Sequence, residues 1–147
     1  MPTYICTIAE GQLSQNQKAA IASEITRIHS EVTGAPSYFA QVVFHEIKSG
    51  NHFMGGVPLR HDTLFVHGHI RGGRTDESKH ILIARMIGAL AQVASLPTTG
   101  VWVYIAELPA RHMVEFGQVL PEPGGEEAWT KSLTPEASEF VQKIGRE

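Results

Sequence analysis

The residue with the most reactive prospect stands second in the chain. Methionine is normally trimmed when a small residue follows it, and Pro2 qualifies, so the mature chain is expected to begin with a secondary amine. An α-amino group titrates near roughly 8; nearby arginines would lower that value and a nearby carboxylate would raise it. Such an amine can be set to give a proton or to take one, although Met-Pro alone is a commonplace start. Arg71-Gly-Gly-Arg74 is the second feature. Two guanidinium forks between a strand and a helix start, where backbone N–H groups and the positive helix end converge, suit a planar carboxylate. Pairing of both arginines with Asp76, Glu77 or a neighbouring subunit is the equal alternative. His29 lies four residues after Ile25 and eight after Ile21, at the edge of an apolar stripe, where a histidine bonded to a backbone carbonyl is the plainer reading. Glu115 stands inside Met113-Val-Glu-Phe116, a carboxylate in apolar company, which favours a salt bridge or a functional site. Tyr104 shares a strand face with Trp102 and on that pattern belongs to packing.

A metal is the minor reading. His67 and His69 are two apart on a strand and face the same way, but no third ligand at fixed spacing, no HExxH and no cysteine cluster accompanies them. Gly55-Gly56 and Gly72-Gly73 form neither a dinucleotide fingerprint nor a P-loop.

The elements that must position these residues are legible from periodicity. Thr3 to Ala9 reads as a strand, rich in β-branched and aromatic residues, and Glu10-Gly11-Gln12 turns the chain. Ser14 with Gln17 has capping-box spacing; Ile21, Ile25, Ile28 and Val32 then make a helical stripe, ended by Gly34 and Pro36. Phe39 to Ile47 is expected to return as a strand. The pattern repeats with Thr63 to Ile70 as a strand, Thr75 as N-cap ahead of Asp76 and Glu77, a stripe of Leu82, Met86, Ala89, Leu90 and Val93, and a strand from Val101 to Leu108. A β-α-β unit duplicated at an offset of about 60 residues predicts an α/β (α+β) fold, four strands in one sheet with both helices on one face. The halves span about 2–60 and 61–110, and an arm over 111–147, with a short helix from Pro135 to Ile144, packs on its own or a neighbouring subunit. The sheet's second face is left uncovered, so a homo-oligomer is expected.

The 147 residues suit one domain, 1–147. A net charge of −3 gives no positive field for nucleic acid, and no apolar run approaches the roughly 20 residues that span a bilayer. The start of the chain lacks the basic and apolar stretches of a signal peptide, and the single cysteine, Cys6, reads as a core residue; a cytoplasmic location is expected.

Together the pieces resemble the tautomerase superfamily, most closely its cis-3-chloroacrylic acid dehalogenase group. The resemblance rests on Pro2, Ile28-His29, Asp62-Thr-Leu-Phe-Val-His-Gly68, Arg71-x-x-Arg74, Val101-Trp-Val-Tyr104, Met113-Val-Glu-Phe-Gly117 and Leu120-Pro-Glu-Pro-Gly124, and runs to about Trp129. It implies a homotrimer of duplicated β-α-β chains, with Pro2 as the catalytic amine and Arg71 and Arg74 binding a small carboxylate substrate. His29, Tyr104 and Glu115 fall at the remaining functional positions, His29 helping to hold the carboxylate or the water. The implied reaction, without metal or organic cofactor, adds water to an α,β-unsaturated acid; a 3-haloacrylate would give malonate semialdehyde. Ala35-Pro-Ser-Tyr-Phe39 is expected in the pocket wall, where the group's dehalogenase has a more polar loop. Two other readings stand beside this one: a keto–enol tautomerase using neutral Pro2 as base on a 2-keto or 2-hydroxydienoate acid, and a non-enzymatic trimeric binding module.

Overall fold

The structure, a computed structural model, describes residues 2–144. The expected loss of Met1 concerns a residue outside the described ones.

Strand β1 (Thr3–Ala9) alternates, with Tyr4, Cys6 and Ile8 buried beneath the helices and Thr3, Ile5 and Thr7 on the other face. Helix α1 (Gln15–Thr33) opens on the expected capping box: Gln17 N–H donates to Ser14 Oγ at 3.2 Å, and Ser14 N–H to Gln17 Oε1 at 3.0 Å. It ends at Gly34, whose φ of 71° suits a residue without Cβ. A 3-10 turn, Ser37–Phe39, then precedes β2 (Gln41–Ile47). Phe39 therefore lies in that turn and not in the strand predicted to start there. Pro36 presets the turn, with Phe39 N–H bonded to Pro36 O.

A small hairpin, β3 (Phe53–Met54) with β4 (Val57–Pro58), connects the halves. The second half is β5 (Leu64–Arg71), α2 (Asp76–Ala94) and β6 (Val101–Leu108). Thr75 caps α2 as expected, its side chain accepting from Ser78 N–H. The arm holds a second hairpin, β7 (Val114–Glu115) with β8 (Gln118–Val119), then α3 (Glu126–Lys131) and α4 (Pro135–Lys143). Both hairpins and α3 are too short to leave a periodic signature in the sequence.

The sheet runs β2-β1-β5-β6. Pairing is parallel within each half and antiparallel between β1 and β5. That antiparallel register sets Thr3 opposite His69, so the start of the chain meets the end of β5. One core lies under both helices: Ile21, Ile25 and Ile28 of α1 and Leu82, Met86 and Leu90 of α2 close over Tyr4, Cys6, Leu64 and Val66. Truncating Ile25 to alanine there would cost about 2–5 kcal/mol.

The opposite face carries rings. Phe65 meets Tyr104 edge-on at 4.9 Å, and the His67 and His69 rings lie tilted with their centroids 4.4 Å apart. Trp102 and Tyr104 remain 42% and 57% exposed.

Candidate active site

Position begins with topology. Because β1 starts beside the end of β5, Pro2 is buried and lines a narrow cleft together with Ile70 and Arg71. His29, Arg71, Arg74 and Glu126 supply its other polar groups. Ala35, Phe39, Ile70, Leu120 and Pro121 make it otherwise apolar, so the 35–39 loop forms part of the wall as expected.

Arg71 ends β5 and is 9% exposed. Its Nη1 donates to Pro121 O at 2.5 Å and its Nη2 to Glu126 Oε1. Glu126 is fixed in turn, its Oε2 accepting from Gly124 N–H at 2.8 Å. Burial alone would raise the Glu126 carboxyl, but the hydrogen bond from Arg71 and the charge behind it bring it below the ordinary value. Asp76, one of the alternative partners considered for the arginines, is engaged with Lys79.

Arg74 Nη1 donates to Thr33 O at 2.7 Å, a last-turn carbonyl that α1 itself leaves unpaired. Burial, together with the nearby Arg71 charge, lowers Arg74 from its ordinary value. The helix end thus orients the guanidinium without neutralising it.

His29 reaches the cleft from α1, and its Nδ1 lies 2.7 Å from Tyr4 Oη. Burial first, then the charges of Arg74 and Arg71, push His29 from 6.5 to about 4. Burial likewise raises the Tyr4 phenol, so both groups are neutral near pH 7. The Tyr4 ring depends on Gly68: a Cβ there would sit 2.5 Å from Tyr4 Cε1, closer than real contacts allow.

Pro2 and Phe39 also line a second, wider cavity, and Glu115 faces it. Burial raises the Glu115 carboxyl above its ordinary value. The turn after Glu115 is tight. Phe116 adopts φ 51° and Gly117 φ 78°, the pair of positive values of a type I′ two-residue hairpin loop.

The structure thus brings Pro2, His29, Arg71 and Arg74 to one cleft and Glu115 to the other side of Pro2. Tyr104 is not among them; it lies on the open sheet face with Thr7, His52, Phe65 and Trp102. Two further groups, Tyr4 and Glu126, escaped sequence reasoning. Tyr4 could have been found by placing the fourth residue on the helix-facing side of β1. Nothing in the spacing of Glu126, 55 residues after Arg71, marks it. His67 and His69 do share a face; among the described residues no group of three or more His, Cys, Asp or Glu could hold a metal ion.

Comparison with known proteins agrees with the fold. Residues 1–133 match the Tautomerase_3 family, described as "Putative oxalocrotonate tautomerase enzyme", and the chain belongs to that family. Among solved structures it is similar to N1, a member of the cis-3-chloroacrylic acid dehalogenase family. That match has 34% identity, covers 97% of this chain and 99% of that one, and has a TM-score of 0.90. Two more distant likenesses show the fold. Pt0534 inactivated by 2-oxo-3-pentynoate is 23% identical, covering 80% and 94% of the two chains at a TM-score of 0.73. Wild-type fused 4-OT, solved as an asymmetric trimer, is 24% identical, with the same coverage and a TM-score of 0.70. No curated protein matches the chain. The protein is a tautomerase-superfamily enzyme, and no helix among its described residues is long and apolar enough to cross a membrane.

Proposed function

We propose that this enzyme adds water to small α,β-unsaturated carboxylates, cis-3-haloacrylates included, using the amine of Pro2 after Met1 is lost. The observation that carries the reading is the position of Pro2 between two cavities, with the arginines and His29 on one side and Glu115 on the other. Arg71 and Arg74 hold the substrate carboxylate and draw electron density from the double bond, which makes C3 electrophilic. Glu115 takes a proton from water as the water oxygen bonds to C3, a role helped by burial that raises its basicity. Protonated Pro2 delivers a proton to C2. With a 3-haloacrylate the resulting halohydrin loses hydrogen halide and leaves malonate semialdehyde. His29 is neutral; with Nδ1 accepting from Tyr4, its Nε2–H donates to the carboxylate or the water.

Tyr104 takes part only from a neighbouring copy, which favours a homotrimer that covers the open face, the assembly seen for fused 4-OT. The buried, unpaired Cys6 fits a cytoplasmic setting.

A second reading has support from the family description: neutral Pro2 as the base of a keto–enol tautomerase acting on 2-keto or 2-hydroxydienoate acids. The sign of the Pro2 charge separates the two. Glu115, which lines the second cavity together with Pro2, favours the ammonium. Nitrogen NMR of Pro2 through a pH titration, with a panel of cis- and trans-3-chloroacrylate and an enolpyruvate, tests the choice. The hydratase reading expects an amine mostly protonated at pH 7 and turnover of the cis acid. A mostly neutral amine with turnover of the enol alone would establish the tautomerase.

A further inference from the structure

Among the residues that line the arginine cleft, Glu126 carries the only carboxylate. It belongs to the arm, yet its Oε1 accepts from Arg71 and its Oε2 is pinned by Gly124 N–H. The pair is shielded, the Arg71 and Glu126 side chains being 9% and 22% exposed. Two guanidiniums and one carboxylate leave the side chains of the cleft with a single positive charge, and the ammonium proposed at Pro2 is offset by Glu115, which faces the second cavity that Pro2 lines. We infer that Glu126 is a specificity-determining residue that restricts the cleft to acids with one carboxylate, fixing Arg71 through its charge and leaving Arg74 to be neutralised by the ligand. The inference rests on the carboxylate-binding reading above and deepens it.

The walls explain why a second carboxylate is refused. Beyond the arginines a ligand meets Ala35, Phe39, Ile70 and Leu120, none of which can solvate an anion, and then Glu126 itself. Neutral His29 adds a donor but no charge. Like charges confined to a cleft this small repel strongly enough to weaken binding by roughly tenfold or more.

The test is calorimetric titration at pH 7.5 with propanoate and malonate, saturated acids of equal carbon count that differ by one carboxylate. Wild-type protein is expected to prefer propanoate by at least about tenfold. Glu126→Gln keeps the side-chain shape and the acceptor for Arg71 but removes the charge, and is expected to bring the two affinities together. Glu126→Asp keeps the charge, so the preference persists, while its shorter reach loosens Arg71 and lowers turnover. A preference unmoved in Glu126→Gln leaves Glu126 a purely structural residue and overturns the inference, with carboxylate binding intact. A wild-type ratio near one overturns it whatever the variants do. Wild-type protein that binds neither acid, or Arg74→Ala that binds propanoate as tightly as wild type, removes the carboxylate reading and this inference together.

Discussion

The two β-α-β halves repeat one order of elements, each around a 19-residue helix, and their central strands each begin beside the other's end. The sheet therefore offers two corners of similar geometry. At one, Pro2 precedes β1 and meets Arg71 at the end of β5. At the other, Asp62 and Thr63 precede β5, and the backbone nitrogen there is an internal amide with no proton to trade. The neighbouring strand end is Ala9-Glu10, which brings no guanidinium. The fifteenth residue of each helix tells the same story: His29 in α1, the fully buried Leu90 in α2. Topology supplies a corner twice. On the proposed reading, chemistry arises at the corner that combines the start of the chain with a few polar side chains.

The largest test of that contrast is to take the first corner's charge away. Arg74→Ala is expected to lower kcat/KM for a small unsaturated acid by roughly a hundredfold or more, chiefly through KM, because a charge-assisted pair to the carboxylate is lost. Steady-state kinetics read it, and a loss below threefold would mean that the carboxylate lies elsewhere.

Glu115→Gln comes next. It is expected to reduce kcat by about one to two orders of magnitude and to lower the titration point of the Pro2 amine, since the carboxylate beside it stabilises the ammonium. Nitrogen NMR and kinetics on one sample check both; an unshifted amine would separate Glu115 from Pro2.

Gly68→Ala probes the support beneath His29. The added Cβ would strike the buried Tyr4 ring, and a cost of about 1–3 kcal/mol in urea unfolding is expected, with the Tyr4–His29 hydrogen bond displaced.

His29→Leu makes α1 match α2 at its fifteenth position and has the smallest effect, seen in pH dependence. Folding lowers His29 from 6.5 to about 4, so between those values the unfolded chain binds a proton that the folded one does not. Stability therefore rises with pH across that window and falls as acid is added, by about 2 kcal/mol from pH 7 to pH 5 for this group. The wild-type slope should exceed that of His29→Leu by that amount; equal slopes would show that His29 is solvated.

Much of this was legible in the sequence because it is periodic. Thr3–Ala9, the Ser14/Gln17 box, the Gly34 stop, the Thr75 cap and Val101–Leu108 each obey a local rule, and the structure repeats them. The start of β2 was misplaced by the turn after Pro36, where Phe39 satisfies a 3-10 bond before the strand begins. The corner's first four residues, Pro2, His29, Arg71 and Arg74, were visible as types at element ends. Glu126 was not. Its meeting with Arg71 depends on how Leu120-Pro-Glu-Pro-Gly124 folds the arm back, a long-range event with no period. Tyr104 shows the opposite limit: its strand and face were readable, but a single chain leaves it on the open face, away from Pro2.

The most direct measurement compares two preparations of one sequence, verified by intact mass, one beginning at Pro2 and the other retaining Met1. Both are assayed with cis-3-chloroacrylate for chloride release and malonate semialdehyde. Turnover by the first and none by the second is the result expected of a proton-carrying secondary amine. Equal turnover by both would place the chemistry on some other group.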